Sequence, residues 1–325
     1  MHFELKYKDI ISIENLLEAW GEFVNGKRNR KDVQEFGRNL MGNMMLLHRD
    51  LVAKTYTHSF YKPFTIFDPK FHEIHKASVR DRLLHHAIYR KLYTFFDKTF
   101  APDSYSCRLN KGTHKAMARF KSFAFEASKN HTKTVWVLKC DIRKFFASID
   151  QITLLKILGL YISDKNVLKL LSEIIGSFYS TRPGVGLPLG NLTSQLFVNI
   201  YMNEFDQFMK HKIKAKYYIR YADDFVILDQ DRNHLLNMIP KIAEFLEKNL
   251  KLSLHPDKVF VKTFSSGVDF LGWVHFSDHK IVRKVTERRM IKNISKNQSP
   301  GSNASYKGLL LHGNTYKLIN ELGFI

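Results

Sequence analysis

Two short runs of β-branched and aromatic residues, Tyr217-Tyr-Ile-Arg-Tyr-Ala222 and Phe225-Val-Ile-Leu228, stand with only Asp223 and Asp224 between them. Residues of this kind suit strands buried in a sheet, and a two-residue gap leaves room for little but a hairpin turn. The spacing therefore puts an acidic pair at the tip of an antiparallel hairpin. Asp is also favoured in turns for local hydrogen bonding, so the pair alone has an ordinary alternative. A third run, Thr134-Val-Trp-Val-Leu-Lys-Cys140, has the same strand character and ends on Asp141. If it joins the hairpin, three carboxylates converge on one sheet edge. Like charges at close range raise one another's pKa unless a cation neutralises them. Two Mg²⁺ ions about 3.5 to 4 Å apart would satisfy those oxygens and support an in-line phosphoryl displacement. Asp141 has its own alternative, as the N-cap of the turn or helix that follows.

The rest of the chain reads as mixed α and β. Helical spacing runs through Ile13, Leu16, Leu17 and Trp20, and again through Phe36, Leu40, Met44 and Leu47, with the basic turn Gly26-Lys-Arg-Asn-Arg30 between them; two helices packed as a hairpin are expected. Tyr61 to Phe67 alternates like a strand, and Val79 to Phe96 returns to helical spacing. Helices are expected from Asp141 to about Tyr179, then the loop Arg182-Pro-Gly-Val-Gly-Leu-Pro-Leu-Gly190. The stripe Phe197, Tyr201, Phe205, Phe208 suits a core-facing helix, and Asp231 caps a long one in which Pro240 is tolerable only as a kink or near an end. Strand-like pieces follow Leu252, then a basic helical tail with a turn at Ser299-Pro-Gly-Ser-Asn303.

With 51 Lys and Arg against 31 Asp and Glu, the 325 residues carry a formal charge of +20, a balance that points to a polyanionic partner. The excess is concentrated in two blocks, Lys62 to Lys121 and His275 onward, although any single lysine is also explained as a solvated surface charge. Two cysteines, Cys107 and Cys140, are too few for a disulfide scaffold or a cysteine-based zinc site. No apolar run approaches a membrane-spanning length, and a cytoplasmic protein is expected.

Tyr221-Ala-Asp-Asp224 resembles the YxDD box of reverse transcriptases, and Asp141-Ile-Arg-Lys-Phe-Phe146 resembles the strand-end box of the same family. The resemblance implies an α+β right-hand polymerase with fingers, palm and short helical thumb. Its divisions would be residues 1–130 (N-terminal helices and fingers), 131–274 (palm, with fingers elements around 151–185) and 275–325 (thumb). It also implies RNA-templated DNA synthesis with an RNA template, a nucleic-acid primer and dNTPs. Asp141, Asp223 and Asp224 would be catalytic; Asp141, the Ile142 carbonyl and Asp223 would hold two Mg²⁺. Phe146 would exclude a ribose 2′-OH, with core packing as its alternative.

Further boxes extend the likeness. Ser104 to Ala116 is similar to the family's fingers box, making Arg108 and Lys111 phosphate contacts. Ile74 to Arg82 resembles the box before it, which adds Arg80 and Arg82, unless these pair with Asp81. Leu254-His-Pro-Asp-Lys258 resembles the segment whose lysine lies near the leaving pyrophosphate; Lys258 would be a general acid or a phosphate contact. Phe270-Leu-Gly-Trp273 resembles the primer grip, so that Leu271, Gly272 and Tyr221 would approach the primer. Arg283, Lys284, Arg288 and Arg289 would line the duplex.

Gly186-Leu-Pro-Leu-Gly-Asn-Leu-Thr-Ser-Gln195 resembles the loop beside the nascent base pair, with Leu189, Gly190 and Gln195 facing the nucleotide. Most of the family has Gln before the second glycine and Ser-Pro later. Leu189 and Ser194-Gln195 depart from that in the manner of diversity-generating retroelement enzymes, which implies low fidelity at template adenines and a small basic accessory protein. A packing substitution is the alternative for Leu189. The rival functions are a defence-associated or group II intron-like reverse transcriptase and a non-catalytic RNA-binding scaffold.

Overall fold

A computed structural model describes residues 4–67, 71–296 and 300–324. In chain order the elements are α1 (Tyr7–Ile11), α2 (Ile13–Val24), α3 (Lys31–Arg38), α4 (Leu40–Val52), β1 (Lys62–Phe67), β2 (Phe71–Lys76), α5 (Val79–Phe96) and α6 (Thr113–Ala127). There follow β3 (Trp136–Asp141), α7 (Phe145–Ser148), α8 (Gln151–Tyr161), α9 (Lys165–Gly176), α10 (Leu192–Gln207), β4 (Tyr217–Tyr221), β5 (Asp224–Asp229) and α11 (Arg232–Leu250). The last are β6 (Phe260–Thr263), β7 (Val268–Phe270), β8 (Trp273–His275), β9 (Lys280–Val282), α12 (Lys284–Lys296), α13 (Pro300–Leu310) and α14 (Tyr316–Glu321). The class is α+β with antiparallel sheets, as expected.

The chain folds into two compact units, each assembled from separate stretches of sequence. The first contains residues 1–102, 142–208 and 243–254. Here the expected two-helix hairpin is broken into four helices. Ser12 leaves the helical region and its hydroxyl accepts from Asn15 N, while Asn39, at φ −125° and ψ 50°, separates α3 from α4. The Ser12 hydroxyl offers the backbone such an alternative to a continuing helix. Helix α5 is the spine of this unit. Its Leu83, Leu84, Ala87, Ile88 and Leu92 are fully buried, and it packs against α2 and α10. The α10 stripe is core: Phe197, Tyr201 and Phe205 are buried, Tyr201 Oη donates to Leu250 O at 2.5 Å, and Phe208 stacks on Phe245 at 4.1 Å.

The second unit contains residues 103–141, 209–242 and 255–325. Its centre is a four-stranded antiparallel sheet in the order β4-β5-β3-β6. Val137, Ile219, Val226 and Leu228 on one face meet Phe120, Phe123, Ala124 and Ala127 of α6 in a single apolar cluster. Leu138, Cys140, Tyr218, Phe225 and Ile227 on the other face are buried as well. Burial on both faces explains why these strands read as nearly continuous apolar runs. The smaller sheet β7-β8-β9 follows, and Trp273, Val282 and Met290 pack with Leu310, Leu318 and Ile319 of the terminal helices. The expected turn at 299–303 is corrected in part: residue 299 lies outside the described residues, and Pro300 opens α13, a first-turn position where its missing N–H costs nothing. Among the described residues no helix is long and apolar enough to cross a membrane.

Candidate active site

The hairpin forms, but its tip is Ala222-Asp223 rather than the Asp-Asp pair. Asp224 is already the first residue of β5, paired in register with Tyr221 on one side and Asp141 on the other. Ala222 sits at φ +55°, the left-handed region that a non-glycine residue rarely adopts. That conformation is the one a tight two-residue turn requires, and it leaves Asp223 projecting beside the strand end that carries Asp141. Directly opposed residues on neighbouring strands share a face, so Asp141 and Asp224 lie side by side on the same face as Lys139.

Each of those two carboxylates has a lysine. Lys258 Nζ donates to both oxygens of Asp141 at 2.9 Å. The turn that carries it is pinned beneath the strand end, because His255 N donates to Asp141 O at 2.8 Å and Lys258 N to His255 O at 3.2 Å. Lys139 Nζ lies 3.1 Å from Asp224 Oδ2 and donates to Asp269 O at 2.8 Å. The other Asp224 oxygen, Oδ1, is buried without a hydrogen-bond partner. Burial pushes the Asp224 carboxyl up to about 7 against the pull of Lys139, with Asp223 and Asp141 adding repulsion. Asp223 is raised too, first by burial and then by Asp141; Lys258 and Arg220 work in the opposite direction.

Among the described residues no three His, Cys, Asp or Glu side chains converge as a ready-made metal cluster. The donor set nevertheless suits a hard cation: two mutually repelling carboxylates, Asp141 and Asp223, and an orphaned oxygen on Asp224, all on one strand-end constellation. Ile142, the next residue in the chain, is 1% exposed and is held by a backbone bridge to Leu254.

Two residues of this arrangement escaped the sequence reading. Arg220, in β4, is 1% exposed; its guanidinium donates to Ala222 O at 3.1 Å and to Ser104 Oγ at 3.0 Å, gripping the turn from behind. Lys139 is the buried cation beside Asp224. The available signal was a basic residue inside each of two strands whose other members are apolar, since a charge is buried only when paired.

The basic loop expected to meet phosphates is stitched to the same strand. Ser104 forms a parallel bridge with Arg220, Arg220 N donates to Asp103 O and Tyr105 N to Arg220 O, both at 3.0 Å, and Thr113 Oγ1 donates to Tyr221 Oη at 3.2 Å. Arg108 in this loop donates to Ser104 O, and Lys111 lies 4.9 Å from the centroid of the Tyr105 ring. Leu271 and Gly272, at φ +52° and +86°, form the tight turn between β7 and β8. Arg283 pairs with Asp269 at 2.6 Å, whereas Lys284 and Arg288 are exposed on α12 and Arg289 is half-buried there.

The remaining candidates belong to the first unit. Arg80 bonds Asp50 at 2.9 Å and lies 3.6 Å from Asp81; Arg82 bonds Asp32 at 2.5 Å. Asp81 itself is buried in the first turn of α5 and accepts from its N-cap Ser78, from Tyr56 and from Ser59. Phe145 is buried, and Phe146 is half-buried against its edge. Phe146 O accepts from Leu187 N at 2.9 Å, while Leu189 O accepts from His75 N and Asn191 Nδ2 donates to His75 O. Gly190, at φ +96°, lies so close to Ile74 that a Cβ would come within 2.8 Å of Cγ2. Gly190, Gln195 and Arg82 line one cavity of about 300 Å³ together with Lys27, Arg30 and Lys76.

Residues 69–275 match the family described as reverse transcriptase (RNA-dependent DNA polymerase). Protein YkfC of Escherichia coli (strain K12) is 26% identical over 275 residues, covering 72% of this chain and 70% of YkfC. The group II intron-encoded protein LtrA of Lactococcus lactis subsp. cremoris is 22% identical over 276 residues, or 64% of this chain and 44% of LtrA. The chain thus spans less than half of that intron-encoded relative. A family match over more than half the chain joins a strand-end carboxylate site and an antiparallel α+β fold, and the chain belongs to the reverse transcriptase family of RNA-directed DNA polymerases.

Proposed function

We propose that this reverse transcriptase works by two-metal phosphoryl transfer and serves a diversity-generating retroelement, copying an RNA template into cDNA that carries errors at template adenines. The observation that supports the chemistry is the juxtaposition of Asp141 with Asp223, where burial and mutual repulsion raise the Asp223 carboxyl. Asp141, Asp223 and the Ile142 carbonyl would hold Mg²⁺, which when bound supplies charge for the attacking primer hydroxyl and the leaving oxygen. Asp224 completes the acidic edge under the hold of Lys139. Lys258 is the proton donor for the departing pyrophosphate. Arg108 and Lys111 take the triphosphate, and the basic residues of α12 take duplex phosphates, so binding weakens steeply with salt.

For the subfamily, the support is Leu189 and Ser194-Gln195 in the loop that resembles the base-pair-facing segment. Leu189 cannot offer the hydrogen bonds of a Gln amide, which lowers discrimination between correct and incorrect pairs. A small basic accessory protein accompanies this reading. The likeness to the group II intron-encoded LtrA favours a second one, an intron-type enzyme. Paired template and variable repeats in the neighbouring DNA, differing at adenines, separate the two. The polymerase test is Mg²⁺-dependent primer extension on the cognate RNA, with any required accessory protein. Wild type extends and Asp223→Ala does not; equal activity of the two proteins rejects the carboxylate mechanism.

A further inference from the structure

The second unit contains an open cavity of about 600 Å³ lined by residues from three separate stretches: α6, the segment from Phe264 to Lys280, and the loop before α14. None of the carboxylates described above lines it. Its floor is apolar, with Met117 and Phe264 nearly fully buried, and its rim carries Lys121, Lys280, His114 and His312. The two imidazoles lie 4.1 Å apart between ring centroids. Among the described residues neither rim lysine has a carboxylate within ion-pair distance; the one acid at the rim, Asp278, is bonded to His279 at 2.7 Å. The two lysines feel one another. Lys280 is pushed down by burial and then by Lys121, and His114 is pushed down by burial, His312 and Lys280.

The cluster is held by specific packing. Gly313 lies against the Trp273 ring, where any Cβ would collide, so the loop seats His312 only because this residue has no side chain. Asn314 N donates to Lys280 O at 2.8 Å and ties the same loop to β9. Lys280 Nζ stands 4.9 Å from the Trp273 centroid. Gathering like charges around an apolar floor raises the free energy of the site until an anion with an apolar body enters it. The volume lies within the roughly 300 to 1,000 Å³ common for small-ligand sites.

We propose that this cavity binds a nucleoside 5′-phosphate, its phosphate on Lys121, Lys280 and the paired histidines and its base on Met117 and Phe264. Two sources share that chemistry: a free nucleotide, or an unstacked nucleotide of bound RNA. The full chain is held in EDTA, which keeps divalent cations from the carboxylate site, and titrated separately with AMP and with octa-adenylate. Protection of Lys121 and Lys280 from acetylation is read by mass spectrometry. Protection by AMP identifies the free nucleotide as the source, and protection by octa-adenylate alone identifies RNA. Lys121→Ala and His312→Asn should each weaken binding about tenfold, the loss expected for one charge-assisted contact, while Lys121→Arg retains it. Asp223→Ala should bind as wild type does, which separates this site from the polymerase reading. If neither ligand at millimolar concentration protects these lysines, or if folded Lys121→Ala and His312→Asn bind as wild type does, the proposal is overturned.

Discussion

Replacing Arg220 by Met tests whether the acidic turn is held from behind. The side chain is 1% exposed and donates to Ala222 O at 3.1 Å and to Ser104 Oγ at 3.0 Å. Hydrogen bonds from a charged donor contribute about 1.5 to 3 kcal/mol each, so losing these two costs about 3 to 6 kcal/mol. The carbonyl released belongs to Ala222, whose left-handed conformation persists only where its surroundings impose it. Relaxation of that residue moves Asp223 relative to Asp141, and a displacement of about 1 Å at a reacting centre costs roughly a hundredfold in rate. Urea denaturation followed by tryptophan fluorescence measures the first effect; single-nucleotide primer extension per folded molecule measures the second. Arg220→Lys keeps the charge without the planar fork and should fall between. A stability loss below about 1 kcal/mol would refute the energetic argument. A large stability loss with an unchanged extension rate would leave Arg220 structural and refute its positioning of Asp223.

Three further outcomes follow from other parts of the chain. Leu189→Gln should lower the error frequency at template adenines when cDNA is sequenced, and indistinguishable error spectra would remove Leu189 from the account of fidelity. Phe146→Ala should admit ribonucleotides more readily; unchanged dNTP over rNTP selectivity in primer extension would reject the sugar gate. His85 is fully buried with Nδ1 unpartnered, and burial holds its pKa down at about 3. The unfolded chain takes up that proton near pH 6.5 and the folded chain does not until about pH 3, so stability falls as pH is lowered through this window, by about 1.4 kcal/mol per pH unit once the unfolded imidazole is charged. His85→Gln, neutral throughout and still able to bond His58, should flatten the acid limb of the stability curve by that slope, and an unaltered slope would refute the assignment.

Local pattern alone carried much of this protein. Apolar runs flanked by acids marked β3, β4 and β5 because a strand buried on both faces must be apolar along its length, and helical spacing bounded α5 at Val79 and Phe96 and picked out the core stripe of α10. The boundary at Ser12 was lost because periodicity is blind to a single capping bond, and the one at Asn39 because it is blind to a single residue that leaves the helical region. Which carboxylate occupies the turn was also beyond the pattern: Ala222-Asp223 and Asp223-Asp224 are equally spaced alternatives, and the β4–β5 register, which pairs Tyr221 with Asp224, selects the first.

Residue types that can hold a cation and handle phosphates were readable from the sequence, because carboxylates at strand ends and basic blocks announce themselves by position. Their partners were not. Asp141 meets Lys258 across 117 residues, Asp224 meets Lys139, and Arg220 reaches Ser104, each through pairing of strands or turns distant in sequence. The energy of a buried charge depends on what neutralises it, so the tertiary structure alone decides that Lys139 and Arg220 are parts of the acidic site rather than misplaced surface charges.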